Sequence, residues 1–315
     1  MNRHESNGVR DIAGHALSER KEGGARFQGG QRRSAPGEPL ITIITATYNA
    51  AGHLPNVCQS IREQTYGNVE WIVVDGASKD GTQDILRQNE DVIDYWISEP
   101  DKGIYDAWNK GLRLARGEWI CFLGADDFLW DRGVMKCAAS VLAETPSTCR
   151  VVYGSVMLVS PSGNPILAVG EDWTPKLKRR FRQAMSIPHP GTFHRASLFR
   201  ERGEFDASYR IAGDYELLLR ELKDRDAFFI QDLITVGMTM NGVSSAPKNI
   251  LASLREARLA QKQNGIGGMG PTYMLALFRA WTRVLLWQLA GESLARRLLD
   301  LGRRLMGKSP YWTKA

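Results

Sequence analysis

The chain has few of the residues that most thiol and zinc chemistry requires. It carries four cysteines and five histidines in 315 residues. Cys58, Cys121, Cys137 and Cys149 form no C-x-x-C pair, which argues against a zinc ribbon and a dithiol redox motif. No H-E-x-x-H and no G-x-S-x-G occurs, so the common zinc-hydrolase and nucleophile-elbow readings fall away. Residues 76–82 hold a Lys and two Gly, but not in Walker A order. Residues 265–270 do fit G-x-G-x-x-G, yet they follow a polar helical stretch and run into Pro271. A hinge is the better reading there, because a dinucleotide fingerprint must follow a strand and open a helix. Residues 1–38 lack an apolar signal segment and are rich in Gly, Arg, Ser, Glu and Gln, so a disordered tail is expected. Scattered cysteines without a leader make a reduced, cytoplasmic protein the default expectation.

What is present is ordinary in amount and uneven in distribution. The chain is 43% hydrophobic and 24% charged, with a net charge of +6. From Lys248 onward twelve Lys and Arg stand against three Asp and Glu, so the preceding part is net acidic. The basicity therefore belongs to the C-terminal segment, and no nucleic-acid partner is expected.

Strand and helix signals alternate over about 90 residues from residue 39. Residues 39–46, 69–74, 95–98 and 118–123 read as strands. Helical spacing is seen over 53–64, around Ile85 and Leu86, and over 103–115. This is the pattern of an α/β protein with a doubly wound, mostly parallel sheet. Farther on, residues 151–154 and 156–159 read as two strands, with a hairpin turn at 162–165. Helices follow at 196–202 and 213–223, and strand-like runs at 228–230 and 234–238.

Ligands of such sheets bind beyond the carboxyl ends of the strands. Those ends carry Tyr48-Asn49, Asp75, Asp101 and the adjacent pair Asp126-Asp127. An apolar strand that ends in two carboxylates suits a divalent metal carrying a phosphate. Asp residues that cap a turn or the next helix are the alternative.

The four segments together resemble the family 2 glycosyltransferases of the GT-A fold. They are Ile43–Asn49, Val73–Thr82, Glu99–Gly111 and Gly124–Asp127. The likeness continues through His189–Phe193 and Gly213–Glu216, covering roughly residues 39–245. Within the family the chain is most similar to enzymes of bacterial capsule, exopolysaccharide and O-antigen assembly, including the colanic-acid type. The resemblance implies a nucleotide-sugar donor, with a uridine base favoured, and Mg²⁺ or Mn²⁺. It implies Asp127 as the metal ligand, and Asp126 at the ribose or the metal's water shell. It places Asp75 on the base, and Thr47, Tyr48 and Asn49 along the nucleotide pocket. Asp75 could instead start a turn, and Tyr48 could serve packing.

Asp101, Tyr105, Asp106 and Asn109 gather near the same edge and are candidates for donor contact, with a helix-start role open for Asp101. His189, boxed between Pro188 and Pro190, is a candidate for the diphosphate, the metal or the acceptor; a structural histidine is the alternative. Asp214 matches the family's general base, against the reading of a helix N-cap. Relatives that polymerise carry a Q-x-x-R-W motif after this position. This chain has none, which points to addition of a single sugar. A lone base implies inversion. A non-catalytic nucleotide-sugar-binding scaffold is the alternative function.

Residues 246–315 are expected to form a basic, amphipathic helical appendage. Within it, residues 272–290 are apolar but interrupted by Arg279 and Arg283. That suits a helix lying in the membrane interface over 272–308 better than a spanning one. A saccharide or polyprenyl-diphosphate-linked acceptor at the inner face of the cell membrane would account for it. Packing on the catalytic domain or on a partner subunit is the alternative.

Overall fold

The computed structural model describes residues 20–29, 32–240, 249–267, 271–307 and 310–313. The β-branched runs become strands and the apolar-periodic stretches become helices, in the alternating order expected. After β1 (Lys21–Gly23) come β2 (Ile41–Thr47), α1 (Leu54–Arg62), β3 (Val69–Asp75) and α2 (Thr82–Gln88). Then follow β4 (Tyr95–Ser98), α3 (Ile104–Leu114), β5 (Trp119–Phe122), β6 (Phe128–Leu129) and α4 (Val134–Glu144). The second half holds β7 (Val151–Val159), β8 (Pro165–Val169), α5 (Pro175–Phe181), β9 (Phe193–Arg195) and α6 (Ala196–Arg202). It closes with α7 (Gly213–Leu222), β10 (Phe228–Thr239), α8 (Ile250–Gln263) and α9 (Pro271–Leu305).

One mixed sheet runs in the order β1-β4-β3-β2-β5-β9-β7-β10-β6, with β8 paired on β7. Its working part, β4-β3-β2-β5, is parallel throughout, so all four strands end at one edge. Successive residues of a strand point to opposite faces. Ile41 and Ile43 of β2 accordingly join α1, α2 and α4 in one core. Ile44 joins α3, α5, α6 and α7 in the other. The result is a sheet covered by helices on both sides, the α/β architecture the sequence predicts.

Several expectations need correction. The tail expected to lack structure over 1–38 is ordered where it is described. β1 pairs antiparallel with β4, Lys21 opposite Ser98. Arg26 then reaches Glu70 at 2.6 Å. Glu70 is buried and also accepts hydrogen bonds from the Thr42 hydroxyl and the Arg116 amide. A buried carboxylate needs such partners, and Arg26 supplies the counter-charge that apolar periodicity does not reveal. Residues 1–19 lie outside the described residues. The two strands expected in 151–159 are one, β7. Those expected at 228–230 and 234–238 are also one, β10, whose register shifts around Asp232 (φ +57°).

α8, assigned to the C-terminal appendage, packs on α7 and shares its core through Ala257 and Ala260. α9 is exposed along much of its length and breaks its helical geometry at Gly291 (φ +71°, ψ +168°). The chain folds back after it. Burial would raise the Asp300 carboxyl, but hydrogen bonds from the Thr313 hydroxyl and from the amides of Tyr311, Trp312 and Thr313 outweigh it and pull the group down to about 2. Arg283 lies over the Trp312 ring at 4.5 Å. Among the described residues, no helix is long and apolar enough to cross a membrane.

Candidate active site

The first two strand-end turns are locked to each other. Asn49 sits at φ +49°, a conformation Asn tolerates better than most residues. Its amide donates to the Ser78 hydroxyl (2.7 Å), and its side-chain oxygen accepts from the Lys79 amide (3.0 Å). The amides of Ala50 and Ala51 donate to Thr82 and Asp80. Asn49 is thus a brace between turns. Asp75 is fully buried, and its carboxylate accepts from the Ser78 amide and hydroxyl and from the Ser98 hydroxyl. Three of about four acceptor positions are therefore in use, so in this arrangement Asp75 shapes its turn.

Beside these turns lies an open cradle. Tyr48 is 67% exposed. A Cβ on Gly76 would stand 2.5 Å from Asp101 Oδ2 and 3.3 Å from the Tyr48 ring, so only glycine lets the three approach. Asp101 holds the Gly103 amide at 2.8 Å, and burial raises its carboxyl above the usual range. The Thr47 hydroxyl is buried without a hydrogen-bond partner among the described residues.

The loop after β5 holds the carboxylate pair. Asp126 is exposed and Asp127 buried. Asp127 accepts the Thr239 amide at 3.1 Å, which ties the loop to the end of β10. A Cβ on Gly124 would come within 2.6 Å of Asp127 Oδ2, so glycine makes room for the carboxylate. Burial first, and then the charge of Asp126, push the Asp127 carboxyl up to about 7. Neither residue has an ion-pair partner among the described residues. Two hard oxygen donors facing each other's charge without a counterion fit a divalent cation. No group of three or more His, Cys, Asp or Glu suited to a metal occurs among the described residues. A ligand's own oxygens would therefore complete the coordination.

Asp214 opens α7 and meets α3 across the site. Its Oδ1 accepts the Tyr215 amide (2.8 Å) and the Tyr105 hydroxyl (3.3 Å). Tyr105 is in the first turn of α3, just beyond the Asp101 loop. The contact therefore brings Asp214 to the edge where the parallel strands end. Burial holds the Asp214 carboxyl up at about 6. Glu256 of α8, which the sequence reading passed over, gathers the amides of Arg210, Ile211 and Ala212 just before it. No local motif signals that role.

Three candidates do other work. Asn109 is buried, and its carboxamide exchanges two hydrogen bonds with the Phe205 backbone, so it clamps a loop. Asp106 accepts the Lys102 amide at the start of α3 and lies 3.7 Å from Lys110. Its carboxylate therefore ties the loop before α3 to the first turn of the helix. His189 is buried among Trp108, Phe122 and His194, and this burial holds its ring well below the usual histidine range. Its Nε2 is buried without a hydrogen-bond partner among the described residues, so the ring is enclosed by aromatic groups but not satisfied by them. Tyr105 packs its ring on Trp108 and Phe205 and offers only its hydroxyl, toward Asp214.

Residues 42–202 match the model of "Glycosyl transferase family 2". The chain belongs to glycosyltransferase family 2. The glycosyltransferase is 35% identical over 188 residues to a "PGL/p-HBAD biosynthesis glycosyltransferase" of Mycobacterium bovis, covering 58% of this chain and 69% of that one. Its fold is that of a mannosyltransferase from Pyrobaculum calidifontis solved with GDP-Man and Mn²⁺. That match has a TM-score of 0.58 and 20% identity, over 91% of this chain and 87% of that one. It is similar too to S. aureus TarS 1–349 solved with UDP-GlcNAc, with a TM-score of 0.57 and 20% identity. There the match covers 70% of this chain and 66% of the TarS chain. The GT-A fold is thereby shown, and the glycosyltransferase is an enzyme of the transferase class.

Proposed function

We propose that the glycosyltransferase adds a single sugar, with inversion, from a nucleoside-diphosphate sugar to a lipid-linked saccharide in bacterial surface polysaccharide synthesis. A uridine diphosphate donor is favoured by the resemblance to the family. The observation that carries the reading is the placement of two carboxyls beyond the ends of the parallel strands: Asp127, buried after β5 without a counterion among the described residues, and Asp214, tied to the start of α3 through Tyr105. The donor complexes of the two structural neighbours support the substrate class.

Asp127, with Asp126 beside it, would hold Mg²⁺ or Mn²⁺, whose charge would offset that of the departing diphosphate. Tyr48, which is exposed, offers its ring to the base, and the Thr47 hydroxyl, without a partner among the described residues, offers a hydrogen bond. Asp214 takes the proton of the acceptor hydroxyl as that oxygen bonds the anomeric carbon. The bond from that carbon to the diphosphate breaks, and the nucleoside diphosphate leaves with its electron pair. A base that titrates near the working pH is efficient at such a transfer, and a carboxyl at about 6 meets that condition. Tyr105 and the Tyr215 amide aim the carboxylate. Displacement in one step inverts the centre, as with inverting hydrolases.

The acceptor side rests on α9. Phe278, Trp281, Leu285 and Leu289 are exposed at helical spacing, and Leu294, Leu298, Leu301 and Leu305 are exposed at helical spacing after the break at Gly291. With Arg279, Arg297 and Arg304 beside them, these residues suit the inner, anionic face of the cell membrane. The test is a panel of UDP-, GDP-, dTDP- and CDP-sugars with Mn²⁺ and lipid-linked acceptors, read by NMR of the product. An α-linked donor should give a β-linked product; retention of the α-configuration would overturn the mechanism.

A further inference from the structure

At the opposite edge of the sheet, where β2 and β5 begin, lies a cleft of about 770 Å³. Five arginines line it: Arg32, Arg33, Arg116, Arg195 and Arg200. Glu118 is the one acid on its wall, and it is already paired with Arg195 at 2.5 Å. Arg195 is fixed further by the Thr145 carbonyl (2.7 Å) and by stacking over the Trp119 ring at 4.3 Å. Arg32 is held by Asp94 at 3.1 Å. The floor of the cleft is therefore rigid and cationic. At its mouth Arg116 and Arg200 are exposed, and their guanidinium groups have no hydrogen-bond or ion-pair partner among the described residues.

Clustered like charges repel, and such a group is relieved by an anion. Guanidinium groups match phosphate oxygens in pairs. The volume lies in the range of small-ligand sites. No aromatic ring is among the lining residues, so a nucleobase has no platform, whereas a phosphate-dense group needs none. β2 runs seven residues from this edge to Thr47, about 20 Å at strand rise. The cleft is thus separate from the carboxylates of the transfer site. We infer that it is a second ligand site, which takes a compact oligophosphate, either free or as the headgroup of a phosphorylated lipid.

Calorimetry with inorganic tripolyphosphate, in EDTA and on the full chain carrying Asp127→Ala, removes metal and donor site from the reading. Saturable binding at one site is expected, weakened about tenfold or more when Arg116→Gln and Arg200→Gln are added, since two charge-assisted contacts are lost. Arg132→Gln with Lys136→Gln removes the same charge outside the cleft and should leave the affinity unchanged. Absence of saturable binding, or equal weakening by both pairs, would overturn the inference. A parallel arm uses phosphatidic acid vesicles and a chain with Trp281→Ser and Leu285→Ser. Binding there that depends on Arg116 and Arg200 assigns the phosphate to a lipid; tripolyphosphate binding without it assigns a soluble ligand.

Discussion

Asp214 shows how one residue couples chemistry to stability. Burial holds its carboxyl at about 6, whereas in an unfolded chain an Asp titrates near about 3.9. The folded state thus binds this proton more tightly. The stability tied to it is complete below the unfolded value and is lost as pH rises through about 6. Asn keeps the acceptor that Tyr105 and the Tyr215 amide use, but never ionises. The melting temperature of Asp214→Asn should therefore gain on the wild type between pH 4 and pH 8, while kcat falls about 10²–10⁴-fold. A gap that closes with rising pH would contradict the burial argument. The motifs pointed to Asp127 and Asp214 because both residue type and order were visible in the chain. They did not reveal that Asn109 and Asp106 are hydrogen-bonded to the backbone or that His189 is enclosed by aromatic rings, since each is decided by a neighbour that only folding supplies. Asn109 meets Phe205, 96 residues away.

Among the elements, α7 is held at both ends. At its C-terminal end Arg150 and Glu221, each 1% exposed, form a two-point pair, with Arg202 joining at 3.0 Å. Arg150→Ala takes the two-point partner from the buried Glu221 and leaves it only Arg202 and Arg225, so it should cost about 1–3 kcal/mol in chemical denaturation. A loss below 1 kcal/mol would show the pair to be idle. At the N-terminal end Glu256 orders residues 210–212, and Glu256→Ala should lower kcat more than it raises KM. Partial recovery in Glu256→Gln, which keeps an acceptor, would distinguish loop order from charge.

The parallel strands were legible as β-branched runs that end in polar residues. α4 is not among the helices expected from the sequence, although Val134, Met135, Ala138, Ala139 and Leu142 repeat at helical spacing and are buried. β1 could not be read, because its order comes from pairing with β4 and its own residues are polar. The join of Asp127 to Thr239 spans 112 residues and leaves no local trace.

The whole molecule divides its surface by task. The carboxylates lie at one sheet edge and the arginine cleft at the other, while α9 presents its apolar row outward. Replacing Trp281, Leu285 and Leu289 by Ser should abolish flotation with anionic vesicles and leave the fold unchanged by circular dichroism, since all three are exposed or half-exposed. Undiminished flotation would assign the row to a protein partner instead.

The central claim is that Asp127 anchors a metal-dependent nucleotide site. Its most direct test is thermal stability with and without Mn²⁺ against UDP, GDP, dTDP and CDP, in the wild type and in Asp127→Ala. A ligand that binds only the folded state adds about 2.7 kcal/mol at a hundredfold excess over Kd. The account predicts stabilisation by one nucleotide, UDP first, that requires Mn²⁺ and disappears in Asp127→Ala. Stabilisation that persists in Asp127→Ala, or no stabilisation by any nucleotide in well-folded protein, would contradict it.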